Sequence, residues 1–158
     1  MLRAAVVAGA ILVPGAIGAQ GSFVSPGPQG EARIVVAASP HGGIGAGVGV
    51  NVPAGYYVRA GPGVTFVRDD ARGGSTILGA EVTARFLLDP FRESRWGAYA
   101  GAGLAAAWRD GCSGRAYIVL QAGVALPGGG SWERSLEVDV AGGLRAALVL
   151  RPARARGR

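Results

Sequence analysis

The sequence has few of the residues that carry covalent and metal chemistry. Its 158 residues include one cysteine, Cys112, and one histidine, His41, and all sixteen basic residues are arginine, so lysine is absent. A single cysteine forms no disulfide within its own chain, and one histidine with one cysteine offers no cluster with the spacing of a metal site. We therefore expect no disulfide framework, no metal and no other cofactor.

Long apolar runs are also missing. Residues 1–19 begin with a short cationic stretch that ends at Arg3, continue with the apolar run "AAVVAGAILV", and end in small residues. This order is typical of a secretory signal peptide, with cleavage after Gly18 or Ala19. No later segment reaches the roughly 20 apolar residues that a membrane-spanning helix needs. The sequence therefore predicts an exported chain, with residues 20–30 as an N-terminal linker.

Charge of one sign is in excess. The formal net charge of +6 falls to +5 when Arg3 leaves with the signal peptide. Four arginines lie in the last eight residues, where 152–158 forms a predicted basic tail. A basic chain suits nucleic acid or anionic lipid. For an exported chain we expect no nucleic acid, and either a lipid surface as partner or a solvated tail; the sequence identifies no partner protein or ligand.

What the sequence does have, after residue 30, is a regular alternation of apolar and small or polar residues. Clusters of Gly, Pro, Asp and Ser interrupt the alternation at intervals that suit hairpins. In every segment the apolar face has even numbers, as with Ile44, Val48 and Val52 opposite Gly45 and Gly47. The pattern predicts seven strands: 31–39, 43–52, 56–69, 76–88, 96–108, 115–126 and 135–151.

Alternation fits two architectures, a soluble β-barrel or sandwich with an apolar interior for an apolar ligand, and a membrane barrel with its apolar face outside. The aromatic residues favour the second. Trp96 and Trp108 share a face about 40 Å apart along a strand, or about 28 Å along the membrane normal at a tilt of about 45°. This separation approximates the roughly 25 Å apolar band between aromatic girdles. The predicted girdle is Tyr56, Phe66, Phe86, Trp96, Trp108 and Trp132.

The odd-numbered face carries charges and many glycines. A solvent-exposed face gains nothing from so much glycine, which weakens strands, whereas a narrow barrel has room inside for few large side chains. We therefore expect a lumen filled by glycine and by paired charges. The predicted lumen network is Arg33, Arg59, Glu81, Arg85, Arg115, Glu137, Asp139 and Arg145.

Together these features resemble the small outer-membrane β-barrel proteins, a porin-like group that includes eight-stranded barrels. The resemblance covers 31–151 and implies an all-β, antiparallel up-and-down transmembrane barrel in the outer membrane. Such barrels have an even number of strands, so we expect eight with the eighth unidentified. A fold-back of 135–151 at "AGG" would leave halves shorter than the roughly 9 to 11 residues that cross a bilayer. The chain also departs from the group because no aromatic residue ends its last strand.

The sequence gives little support for a catalytic site. Ser39 and His41 lie two residues apart in the turn "SPHGG", and a lipid-modifying barrel enzyme would need them as nucleophile and base. A serine and a histidine in a polar turn are more often turn residues. Glu137 and Asp139 suggest paired-carboxylate chemistry, but the arginines of the same face favour ion pairing. We therefore expect a non-enzymatic barrel with a structural or surface-interaction role.

Overall fold

The protein is an eight-stranded barrel in the part of the chain that the computed structural model describes, residues 27–38, 42–69, 74–90, 96–109, 114–127 and 131–153. Each strand pairs antiparallel with the next, and β8 pairs with β1 to close the sheet. The predicted fold class is confirmed. No helix among the described residues is long and apolar enough to cross a membrane. The strands are β1 (Gln29–Ala37), β2 (Gly43–Pro53), β3 (Val58–Asp69), β4 (Ser75–Leu87), β5 (Gly97–Arg109), β6 (Arg115–Ala125), β7 (Trp132–Val140) and β8 (Leu144–Pro152).

The eighth strand comes from the long last segment, so the prediction of a single strand over 135–151 is wrong. The chain reverses at residues 141–143, where Gly142 has a φ of 69°. Only glycine adopts this left-handed conformation without steric cost. Strand β7 begins at Trp132 rather than at residue 135, so the two strands have nine residues each.

Strand pairing is staggered around the barrel. A walk along paired residues from Ala125 on β6, once around the sheet, returns to β6 at Arg115, ten residues earlier. Closure with a stagger tilts strands by roughly 35–45°, and eight strands leave an interior just wide enough for side chains. The interior is therefore filled largely by side chains.

The even-numbered face points outward. Val48, Val82 and Leu120 are 65%, 54% and 59% exposed, whereas Val119 and Val149 on the odd-numbered face are fully buried. The buried polar residues also have odd numbers. The soluble-barrel alternative, in which the even-numbered apolar face lines the interior and holds an apolar ligand, is therefore wrong for this chain.

The two ends of the barrel differ. We call the end where β1 begins and β8 ends the terminal end; its connections are 54–57, 88–96 and 126–131. The opposite end, the loop end, has the connections 38–42, 70–74, 110–114 and 141–143. Toward the loop end the lumen contains an apolar cluster formed by Val35, Val67, Ala147 and Val149, with Ala37 and Ile77 packed against it.

Candidate functional site

A buried carboxylate on β1 joins four strands inside the lumen. Glu31 accepts hydrogen bonds from Arg33 Nε at 2.8 Å, Asn51 Nδ2 at 2.6 Å, Arg85 Nη1 at 2.8 Å and Arg151 Nε at 3.1 Å. These donors stand on β1, β2, β4 and β8. Charge-assisted hydrogen bonds are the strong ones, so this cluster connects the first and last strands of the barrel with β2 and β4.

Arg33 extends the cluster toward the middle of the lumen. Its Nη1 donates to Glu81 Oε1 at 2.5 Å and lies 3.6 Å from Glu137 Oε1. Arg145 Nη2 donates to the other Glu81 oxygen at 3.0 Å, and Arg145 Nε donates to Asp139 Oδ1 at 2.5 Å. Arg33 therefore contacts Glu31, Glu81 and Glu137, and one continuous set of ion pairs runs through the lumen.

Tyr99 on β5 completes the network. Its hydroxyl donates to Glu137 Oε2 at 2.9 Å, and the same oxygen lies 3.4 Å from Arg85 Nη2. The guanidinium carbons of Arg85 and Arg151 each lie 5.7 Å from the centre of the Tyr99 ring. Cation–π contacts of this kind add to the ion pairs when the groups are desolvated. Tyr99 thus binds two arginines by its ring and one carboxylate by its hydroxyl.

The structure brings together six of the eight charges predicted for the lumen: Arg33, Glu81, Arg85, Glu137, Asp139 and Arg145. Arg59 lies at the terminal end and donates to Gln29 Oε1 at 2.9 Å. Arg115 is exposed where β6 begins and lies outside the network. Sequence reasoning missed Glu31, Asn51, Tyr99 and Arg151 as network members, although all four have odd numbers. The alternation alone places all four on the inward face, so the sequence contained the signal for them.

The comparisons with known proteins agree on the architecture. The chain is similar to the crystal structure of Neisserial surface protein A (NspA), with 15% identity, 79% of this chain and 94% of that chain covered, and a TM-score of 0.55. It is also similar to the N-terminal β-barrel domain of Pseudomonas aeruginosa OprF, with 12% identity, 78% and 96% covered, and a TM-score of 0.53. A de novo designed transmembrane β-barrel matches with 11% identity, 78% and 93% covered, and a TM-score of 0.53. No protein-family model and no curated protein sequence matches the chain.

The chain has the fold of a small outer-membrane β-barrel. In such a barrel the outward aromatic residues are expected at the two membrane interfaces. Near the terminal end the outward rings are Tyr56, Phe86, Trp96 and Trp132, and toward the loop end they are Phe66 and Trp108. Phe66 and Trp108 lie on either side of Leu78 in neighbouring strands. The six predicted girdle residues are thus between 43% and 60% exposed and form two groups, one at each end.

Glycine makes room for Tyr99 in the lumen. A Cβ added at Gly123, the register partner of Tyr99, would overlap the Tyr99 ring. We expect Gly123→Ala to lower the free energy of unfolding by about 1 to 3 kcal/mol, the range for overpacking a core. Urea unfolding of the refolded barrel measures this. The control is Gly79→Ala, where the nearest atom to an added Cβ is 3.7 Å away; equal losses in the two variants would contradict the expectation.

Catalytic and metal sites are the remaining candidates. Ser39 and His41 lie outside the described residues, as does Cys112. Among the residues that the structure describes, no group of three or more His, Cys, Asp or Glu side chains is arranged to hold a metal ion. The carboxylates of Glu137 and Asp139, considered above for acid–base chemistry, instead contact Tyr99, Arg33, Arg85 and Arg145.

Proposed function

We propose that this protein is an outer-membrane β-barrel with a structural role, without catalytic activity and without an open channel. The observation that carries the proposal is the inverted placement of the two faces: apolar side chains point outward along the strands, while the charges are paired inside. In water such an outer face is a large exposed apolar patch, which soluble proteins avoid. In a bilayer the apolar outer face lies against hydrocarbon, and closure of the sheet pairs the backbone groups.

The connections favour a structural role over recognition of a partner by long loops. Outer-membrane barrels of bacteria usually have longer loops on the extracellular side. Here none of the four loop-end connections is longer than five residues, as in 110–114, and the longest connection of the barrel, 88–96, lies at the terminal end. Loops this short offer little area to a protein partner, since a standard interface buries about 800 Å² on each side.

The filled lumen predicts the absence of a steady conductance. Apolar side chains occupy the lumen toward the loop end, and the ion pairs of Glu31, Arg33 and Glu81 cross its middle. The interior of an eight-stranded barrel is just wide enough for its own side chains or one small ligand, so we expect no continuous water-filled path. Purified protein in a planar bilayer is therefore expected to show no steady ion current, and a stable open channel would contradict the proposal.

Localisation tests the proposal as a whole. The full chain is expressed in a diderm host, the outer membranes are isolated, and heated and unheated samples are compared on a denaturing gel. We expect the protein in the outer-membrane pellet after carbonate washing, with a mobility that changes on heating because the closed barrel resists detergent. A fully carbonate-soluble periplasmic protein would overturn the proposal.

A further inference from the structure

One arginine lies on the apolar outer face of β7. Arg134 has an even number and an exposed side chain. Its outward neighbours are Trp132 and Leu136 on its own strand and Leu150, its register partner on β8. Hydrocarbon offers a guanidinium group no hydrogen-bond partner, and a charge facing lipid is costly unless it is paired. The position of Arg134 therefore calls for a partner outside the hydrocarbon.

Arg134 lies close to the membrane interface at the terminal end. It follows Trp132 by two residues, which span about 6.6 Å along a strand, or about 5 Å along the membrane normal at a tilt of about 45°. Trp132 is expected at the level of the headgroups. An arginine side chain returns its charge over such a distance while its stem covers apolar surface. The Arg134 guanidinium is thus expected beside the lipid phosphates and not in the middle of the apolar band.

The chain supplies no counter-ion for this guanidinium. Among the described residues, the Arg134 side chain makes no hydrogen bond or ion pair. In the same part of the chain the even-numbered face carries two charges, Arg134 and, near the loop end, Arg68, and no carboxylate. Glu133 lines the lumen instead. The sequence of the adjoining segments 126–131 and 153–158 contains no Asp or Glu. The counter-ion must therefore come from outside the chain.

The charges near this surface favour a lipid with a net negative charge. A zwitterionic headgroup brings an ammonium group with its phosphate, and the described outer face has no carboxylate to bind that ammonium. Strand β8 ends at Pro152, the register partner of Trp132, and three further arginines follow in the sequence, at positions 154, 156 and 158. Each arginine near an anionic membrane surface adds to the attraction.

We propose that the outer surface of β7 and β8 at the terminal end binds the phosphate of a net-anionic lipid, and that Arg134 is the residue that contacts this phosphate. The planar guanidinium fork matches phosphate oxygens and binds them with paired hydrogen bonds. Leu136 and Leu150 lie deeper in the apolar band or beside Arg134, where they face the acyl chains. The inference rests on the membrane location proposed above and adds a lipid class to it.

Quenching of Trp132 by brominated lipids tests the proposal. Trp96→Phe and Trp108→Phe leave Trp132 as the only tryptophan of the full chain. This parent chain is refolded into phosphatidylcholine vesicles that contain brominated phosphatidylglycerol or brominated phosphatidylcholine. We expect stronger association of phosphatidylglycerol, and a preference that falls about fivefold in Arg134→Gln, the equivalent of about 1 kcal/mol for one arginine near an anionic surface. The matched control, Arg68→Gln, removes the same charge from the same face toward the loop end and leaves the preference at Trp132 unchanged.

The outcomes separate this site from the structural role. Equal association of the two lipids with the parent chain, or an equal loss of preference in the two arginine variants, would overturn the proposal. Quenching of Trp132 by neither lipid would mean that a second copy of the chain covers this face, which also overturns it. Arg134→Leu matches the neighbouring leucines and gives the same readout if the glutamine variant does not insert. Heat-dependent mobility in the same vesicles reports insertion independently: an inserted barrel without a lipid preference contradicts this inference alone, whereas a chain that stays out of the vesicles contradicts the structural role as well.

Discussion

Replacing Glu31 with glutamine is expected to lower the free energy of unfolding by about 3 to 5 kcal/mol, the cost of breaking a buried ion pair by removing one partner. The Glu31 carboxylate binds Arg33, Arg85 and Arg151, and its side chain is 2% exposed. Without its charge, three guanidinium groups lose a shared counter-ion while they stay buried. A glutamine of the same size keeps the packing, so the change isolates the charge.

Reversible urea unfolding of the barrel, refolded into lipid vesicles, measures this loss. The matched control is Glu133→Gln on β7, where the side chain is partly exposed and the expected change is below about 1 kcal/mol. A second readout is the fraction of unheated protein that keeps the compact mobility on a gel. If Glu31→Gln unfolds at the same urea concentration as the wild type, the ion pairs of Glu31 do not stabilise the barrel as the geometry indicates.

Much of the barrel followed from the sequence because its period of two is strict. In every strand the outward apolar face has even numbers, so a single assignment of that face to the outside placed Val48, Val82 and Leu120 correctly. The eighth strand was harder, since the three small residues of the turn, Ala141, Gly142 and Gly143, also fit a continuous strand. The positive φ of Gly142 decides the turn, and backbone angles cannot be read from an alternation.

The lumen network was predicted only in part, for a physical reason. Alternation says which residues point inward, but the stagger of the barrel decides which of them meet. Glu31 and Arg85 are 54 positions apart in the sequence and still share a hydrogen bond of 2.8 Å. Limited space in the lumen predicts small residues on the inward face. At Gly45, Gly61 and Gly103 an added Cβ would instead overlap a carbonyl oxygen of the neighbouring strand.

Placing an arginine on the outer face separates a lipid-exposed surface from a water-exposed one. Val82 lies near the middle of β4 and is 54% exposed, so Val82→Arg puts the charge into the middle of the apolar band. In a membrane we expect a loss of about 2 to 4 kcal/mol in the free energy of unfolding. The same change on a surface that faces water is usually within about 0.5 kcal/mol.

Thr76→Arg is the matched control, because Thr76 is an exposed residue on the same face of the same strand, close to the loop end. Near an interface the cost of an arginine falls to about 0 to 1 kcal/mol. Urea unfolding in vesicles, followed by the fluorescence of the outward tryptophans, measures both variants. Poor packing or a low strand propensity of arginine would lower the free energy of unfolding by a similar amount at both positions. A larger loss at position 82 than at position 76 in vesicles therefore reports how deep each position lies in the bilayer. Equal free energies of unfolding for the two variants would mean that the outer face does not lie in a bilayer.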